Sequence, residues 1–297
     1  MKRRSFLAQT ALLGAGRPPR ILLRSSWQSV NIGDIGHTPG ALSLLAKYFP
    51  EAEVTLWPGQ LGHGSHEFLM RAYPRLTIAE GAVDALGQPT TPALQKAWEE
   101  ADLYLSGSGS GFPASAHAIA FQRRTGKPVG VFGVSTDPVS GFGGQRRPEG
   151  GTLKELRKAA LQLPATQLEA GLRDIIDRSA FFFCRDTTSR DYLKAQGVRT
   201  PLLEFGPDAQ LGMPLRDDAQ GFAFLKAHGF EPGKFICVIP RLRYTPYYRM
   251  RNTPRTPEDE VRDAINQRTT DGDHQKLREM IIAYVRQTGH KLLDALR

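Results

Sequence analysis

Cysteine is almost missing from this 297-residue chain, which has only Cys184 and Cys237. Each sits in an apolar run with no CxxC partner and no adjacent histidine. That excludes a disulfide scaffold and a structural zinc site, and reads as two buried, inert thiols. Long apolar runs are also lacking: the uncharged stretch Phe6 to Gly16 falls far short of the ~20 residues that span a bilayer, so no stable membrane span is expected. There is no P-loop, no GxSxG elbow, no paired-carboxylate signature, no internal repeat and no heptad run. The seven histidines form no metal set. His63 and His66 have HxxH spacing in a glycine-rich loop without a third ligand nearby, and His228 and His274 read as helix-end residues.

What is present is a globular composition, 40% hydrophobic and 23% charged, which excludes global disorder. Glycine and proline are scattered at segment ends, where they act as punctuation. Basic residues exceed acidic ones by 39 to 30. They are spread along the chain, apart from the N-terminus and the stretch Arg241 to Arg255, and no nucleic-acid recognition signature accompanies them. A basic pocket for a small anion accounts for the excess, and no nucleic-acid partner is expected. Residues 1–16 open Met1-Lys2-Arg3-Arg4-Ser5-Phe6-Leu7 and look like a twin-arginine export signal, with Gly14, Ala15 and Gly16 available for cleavage. On that reading the protein is exported to the periplasm; the plainer reading, a basic N-terminal extension, leaves it cytoplasmic.

Beyond residue 16, short apolar runs alternate with amphipathic stretches, the pattern of a parallel sheet covered by helices. The strand-like runs are Arg20 to Arg24, Glu53 to Trp57, Arg75 to Ile78, Asp102 to Leu105, Pro128 to Val134, Phe181 to Cys184, Pro201 to Phe205 and Phe235 to Ile239. Helical patterns cover Pro39 to Tyr48, Pro92 to Ala101, Ser115 to Thr125, Leu153 to Leu163, Gln167 to Arg178, Thr188 to Gln196 and Ala219 to His228, with two more near Pro257 to Gln267 and Asp273 to Gln287. The fold class is therefore α/β: a Rossmann-like parallel-sheet domain over 17–214, then an incomplete second α/β domain over 215–297.

In open parallel sheets ligands collect at the carboxyl ends of strands, so the loops there carry the chemistry. The first holds Asn31, Gly33 and Asp34, which open the helix containing Pro39. Glycine permits close backbone approach, and Asp34 either accepts a hydroxyl proton or caps the helix. His37 follows directly and is the one histidine near a proposed pocket. The second loop, Ser106 to Gly111, places Gly107 and Gly109 where backbone N–H groups could cradle phosphate or sugar oxygens, or simply make a tight turn. No acidic residue follows about twenty positions later, which disfavours a dinucleotide. In the third, Asp186 reads as a helix N-cap, leaving Arg185 as an anion ligand. The fourth runs from Arg241 through Arg243 to Arg255 with no carboxylate between, and takes its counter-charge from a bound anion or from solvent.

In this order the loops resemble the polysaccharide pyruvyl transferase family. Its Asn-x-Gly-Asp loop appears as Asn31-Ile32-Gly33-Asp34, and its Asp-Leu strand with glycine-rich turn as Asp102-Leu103 and Ser106 to Gly111, where Ser108 breaks the family's consecutive glycines. Further matches are Arg185-Asp186-x-x-Ser189 with Leu193 and Gly197-Val198, then Pro207-Asp208, and a strand ending at Arg241. The resemblance spans about Arg20 to Arg243. It implies two Rossmann-like domains arranged as in GT-B glycosyltransferases, and transfer of a pyruvyl group from phosphoenolpyruvate to sugar hydroxyls as a ketal. Arg241, with Arg243 and Arg185 as alternatives, would hold the donor through the guanidinium fork, while Asn31 and Asp34 would orient a glycan acceptor. No cofactor is implied. The family's catalytic histidine lies beyond the matched segment, so no general acid carries over and the second domain is expected to be partial. Two alternatives stand beside this reading: a non-catalytic exported glycan-binding protein, and a GT-B glycosyltransferase using a nucleotide-sugar. An exported enzyme would also need a donor other than phosphoenolpyruvate, a cytoplasmic metabolite.

Overall fold

A computed structural model describes residues 16–136, 138 and 153–294. The expected export signal lies outside them except for Gly16. The chain divides between Pro214 and Leu215 into two compact units.

The first unit contains β1 (Arg20–Ser25), α1 (Ile32–Tyr48), β2 (Glu53–Pro58), α2 (Ser65–Ala72), β3 (Thr77–Ile78), α3 (Pro92–Glu100), β4 (Leu103–Ser106) and β5 (Gly109–Ser110). It continues with α4 (Ser115–Thr125), β6 (Val129–Ser135), α5 (Leu153–Leu161), α6 (Ala170–Arg178), β7 (Phe181–Cys184), α7 (Thr187–Ala195), β8 (Leu203–Phe205) and a 3-10 turn, Ala209–Gly212. The sheet runs β3-β2-β1-β4-β6-β7-β8, with β5 added against β6, and every pairing is parallel. Helices cover both faces, so the central strands are apolar on both sides. Along β1, Leu22 enters one core with Trp57, Trp98, Tyr104, Phe121 and Phe182, while Ile21 and Leu23 enter the other with Leu42, Leu56 and Leu105. Burying a leucine such as Leu22 or Leu23 contributes about 1.5–3 kcal/mol. The chain steps outward from β1 to β2 and β3, then returns to β4 on the other side of β1. The carboxyl ends of β1 and β4 therefore flank the topological switch point, the place where open parallel sheets bind their ligands.

Local chemistry moves several boundaries. Helix α1 begins at Ile32, seven residues before Pro39, because Asn31 caps it by accepting from the Gly33 N–H at 3.0 Å. β3 keeps two residues because Leu76 N–H closes a turn on the Tyr73 carbonyl. Cys184 is buried on β7, where burial pushes its thiol up to about 12. No helix among the described residues is long and apolar enough to cross a membrane.

The second unit contains α8 (Asp218–Ala227), β9 (Phe235–Val238), α9 (Tyr247–Met250), α10 (Pro257–Thr288) and β10 (Lys291–Asp294), with β9 and β10 paired in parallel. The two helices expected here are one, of 32 residues. A Thr256–Asp259 capping box and Pro257 start it, and Gly289 in the left-handed region ends it. Across the expected break, the Thr269 and Thr270 hydroxyls bond back to the Ile265 and Asn266 carbonyls at 2.9 and 2.6 Å, so the turn stays helical. Asn266 is the one buried polar side chain among this unit's described residues. Cys237, expected to be buried, is exposed, since β9 has a single partner strand and little cover.

Candidate functional site

The site is assembled by three glycines. A Cβ on Gly40 would lie 2.1 Å from the Ala209 carbonyl oxygen, and one on Gly36 would lie 3.3 Å from Gln210 Cγ. Only glycine at 40 lets the 3-10 turn press against α1. Asp208 caps that turn by accepting from the Gln210 N–H at 3.0 Å, which fixes its carboxylate against the α1 face bearing His37. Gly133 has a φ of +73° within the β6 irregularity between Val131 and Val134. A Cβ there would reach 3.0 Å from Ser108 Cβ and 3.3 Å from the Pro207 carbonyl oxygen, so this kink brings β6, the Ser108 loop and the Asp208 turn together.

His37 stands at the centre, 3% exposed. Its Nδ1 lies 2.9 Å from Asp208 Oδ1 and 2.7 Å from Ser108 Oγ. Arg185 Nη1 donates to Asp208 Oδ2 at 2.7 Å, and its Nε donates to Ser135 Oγ at 2.9 Å. The Ser135 hydroxyl in turn donates to Asp186 Oδ2 at 2.9 Å. Burial acts to raise the Asp208 carboxyl, but hydrogen bonds from His37, the Gln210 backbone and Arg185 outweigh it and hold the group well below the usual carboxylate range. An ionised Asp208 favours the tautomer with the imidazole proton on Nδ1, which leaves Nε2 as the acceptor that faces Gln210. Nε2 lies 3.3 Å from the Gln210 amide nitrogen and 3.8 Å from Asp34 Oδ1. Asp34 is itself held by the Gln28 amide. Across the switch point, the Trp27 indole donates to the Ser108 carbonyl at 2.7 Å, joining the loops after β1 and β4. A histidine oriented by a carboxylate that is in turn paired with a guanidinium has the arrangement of a general base for a hydroxyl. Among the described residues no group of three or more His, Cys, Asp or Glu could hold a metal ion.

The structure sorts the residues singled out from sequence. Asn31 is the helix cap, Gly33 offers its carbonyl to the Gln210 amide, and Asp34 is drawn to the His37 ring. Gly107 and Gly109 are not a cradle of open amides. The Gly107 N–H bonds to the Arg24 carbonyl at 2.9 Å, and a Cβ would meet Ser25 Oγ at 2.8 Å. Gly109 belongs to β5, beside Pro113 and the Trp27 indole. Both glycines serve close packing, which neither the cradle nor the tight turn described. Arg185 is at the strand end as expected and Asp186 caps α7, but the Arg185 guanidinium already serves Asp208.

Arg241 and Arg243 belong to the second unit. Arg243 makes a two-pronged pair with Asp273, at 2.7 and 2.8 Å, while exposed Arg241 reaches Thr245 Oγ1 at 3.2 Å. The counter-charge of the arginine run thus includes carboxylates of α10: Asp273, and Asp263, which lies 3.0 Å from Arg255. A cavity of about 500 Å³ opens there, lined by Leu242, Tyr248, Arg249, Arg255, Asp263 and Asn266. In the sequence Ser108 stands out only as a break in the family's consecutive glycines, Asp208 only as part of the Pro207-Asp208 match, and Gln210 not at all. The cap pattern Asp208-x-Gln210 was the one local signal available.

No protein-family model matches the sequence, and no curated protein matches it. Among solved structures, HepE of Anabaena in complex with UDP and glucose is 12% identical, with 77% of this chain and 55% of that chain covered and a TM-score of 0.40. UGT2 of Phytolacca americana, complexed with UDP-2-fluoro-glucose and pterostilbene, is 11% identical, with 79% and 62% covered and a TM-score of 0.43. A transferase of Siraitia grosvenorii in complex with UDP is 11% identical, with 77% and 61% covered and a TM-score of 0.41. This chain spans less than two thirds of the length of each.

Proposed function

We propose that this protein is a transferase acting on a sugar hydroxyl, with a nucleotide-activated sugar as donor. The observation that carries the reading is the His37–Asp208–Arg185 relay at the carboxyl edge of the sheet, beside the β1/β4 switch point. The acceptor hydroxyl takes the place of the Gln210 amide at His37 Nε2. As its oxygen forms the new bond to the anomeric carbon, the bond from that carbon to the nucleoside diphosphate breaks and the hydroxyl proton passes to Nε2. Asp208 stabilises the imidazolium so formed, and Arg185 keeps Asp208 ionised. Asp34, 3.8 Å from Nε2, orients the acceptor.

Transfer of a pyruvyl group from phosphoenolpyruvate is the rival reading, carried by the Asn31-Ile32-Gly33-Asp34 loop beside His37. Against it, two of the three arginines it assigns to the donor, Arg185 and Arg243, are already bonded to carboxylates. Thermal unfolding with UDP-glucose, UDP or phosphoenolpyruvate, paired with product analysis on glycan acceptors, separates the readings. Protection by a uridine nucleotide together with glycosyl transfer is expected. Protection by phosphoenolpyruvate alone, with phosphate release, replaces this reading with pyruvyl transfer. Binding of sugar without any transfer makes the protein a glycan-binding one.

A further inference from the structure

On the opposite face of the sheet from His37, Arg24 is 8% exposed. Among the described residues no carboxylate pairs with it. Nη1 donates to the Trp57 carbonyl at 3.1 Å and Nε to His117 Nδ1 at 3.3 Å. The guanidinium lies 4.7 Å from the Trp57 ring centroid and 5.3 Å from that of Trp27, while His117 stacks on Trp57 at 4.7 Å. Arginine does not give up its proton in a protein, so a permanent positive charge is enclosed here among neutral groups. Burial pulls the Arg24 guanidinium below its ordinary range, the mark of a cation short of compensation.

The neighbouring strand supplies a second, independent observation. Tyr104 and Ser106 of β4 stand opposite Leu22 and Arg24 in register, on the same face. Both are wholly buried, and among the described residues neither hydroxyl has a hydrogen-bond partner; the Trp98 indole N–H, in the ring cluster around Trp57, lacks one there too. Buried donors without acceptors are rare in folded proteins. A buried cation held only by neutral groups, beside hydroxyls that have no partner and can donate, is complementary to an anion. Because Tyr104 and Ser106 are sealed from solvent, the anion must be small; a water could satisfy the hydroxyls but would leave the charge in place.

We propose that Arg24, the Tyr104 and Ser106 hydroxyls and the Trp57–His117 stack together form a binding site for a halide-sized monoanion, with chloride as its physiological occupant. The inference is independent of the transfer chemistry. It is tested on the full chain exchanged into chloride-free buffer, by following thermal unfolding as sodium chloride is added, with sodium gluconate at matched ionic strength as control. A saturable rise in Tm of roughly 2–4 °C with chloride and not with gluconate is expected. In Tyr104→Phe/Ser106→Ala the chloride midpoint is expected to rise about tenfold, and in Arg24→Gln the response is expected to vanish. Should Arg24→Gln fail to fold, the double variant still reads the site. Crystals grown with bromide should show an anomalous peak in contact with Arg24. Equal responses to the two salts, or water in place of bromide, overturn the proposal.

Discussion

His37 and Asp208 are 171 positions apart in sequence, yet Nδ1 of one lies 2.9 Å from Oδ1 of the other. That closeness depends on the backbone approach at Gly40 and on the kink at Gly133 as much as on the two side chains. The relay can therefore be disabled from inside or from behind, and the two routes give different signatures.

Removing the ring tests the chemistry. His37→Ala is expected to lower the transfer rate about 10²–10⁴-fold, the contribution typical of a positioned general base. Donor protection against thermal unfolding should persist. Steady-state kinetics beside melting curves check both, and an unaltered rate would remove His37 from the mechanism.

Removing the approach tests the architecture. In Gly40→Ala the new methyl would sit 2.1 Å from a backbone oxygen, so the turn carrying Asp208 must retreat. A loss of about 1–3 kcal/mol in urea unfolding, together with loss of activity, is expected. The less crowded Gly36→Ala, which meets the movable side chain of Gln210 at 3.3 Å, should cost less.

Acid should release the relay in a defined direction. Asp208 has a folded-state pKa below its ordinary 3.8. Its contribution is therefore complete above about pH 4 and fades as pH falls toward the depressed value. Asp208→Asn is expected to cost about 2 kcal/mol near neutrality, the difference from wild type narrowing in melts between pH 4 and 2.

His117 gives a second pH window. Burial, reinforced by the Arg24 charge, lowers its pKa from 6.5 to about 4. The unfolded chain then binds the extra proton first, so stability should decline as pH falls from 6.5 toward 4. In His117→Gln that decline should disappear from the pH–Tm curve.

Arg243 offers a contrast, because its pair with Asp273 is roughly half exposed. Arg243→Ala should alter stability by only about 0.2–1 kcal/mol, and less in high salt. A larger loss would mean that the pair anchors the loop after β9.

The longer strands of the first unit were legible because a parallel sheet covered on both faces demands short unbroken apolar runs, and Ile21 to Leu23 and Val129 to Val134 are such runs; β5, two small residues, and β10 carry no such signal. The start of α1 was harder to read. Pro39 marks a natural first turn, and the true start at Ile32 depends on the Asn31 cap and on glycines whose merit shows only once Ala209 lies against them. Gly107 was misread for the same reason: a glycine that admits a ligand and one that admits a neighbouring strand look alike until the partner of its N–H is known. Asp208 looked like any turn aspartate, since nothing local announces a histidine 171 positions away. The single helix α10 was split because Thr269, Thr270 and Gly272 are weak helix formers, and their back-bonding hydroxyls leave no trace in the composition.

The indole of Trp27, fastened to the Ser108 carbonyl, has one more effect. It ties the loop after β1 to the loop after β4 with a bond that the chain makes to itself. A ligand bound at this edge would then find the two loops already ordered relative to each other, which lowers the entropic cost of binding.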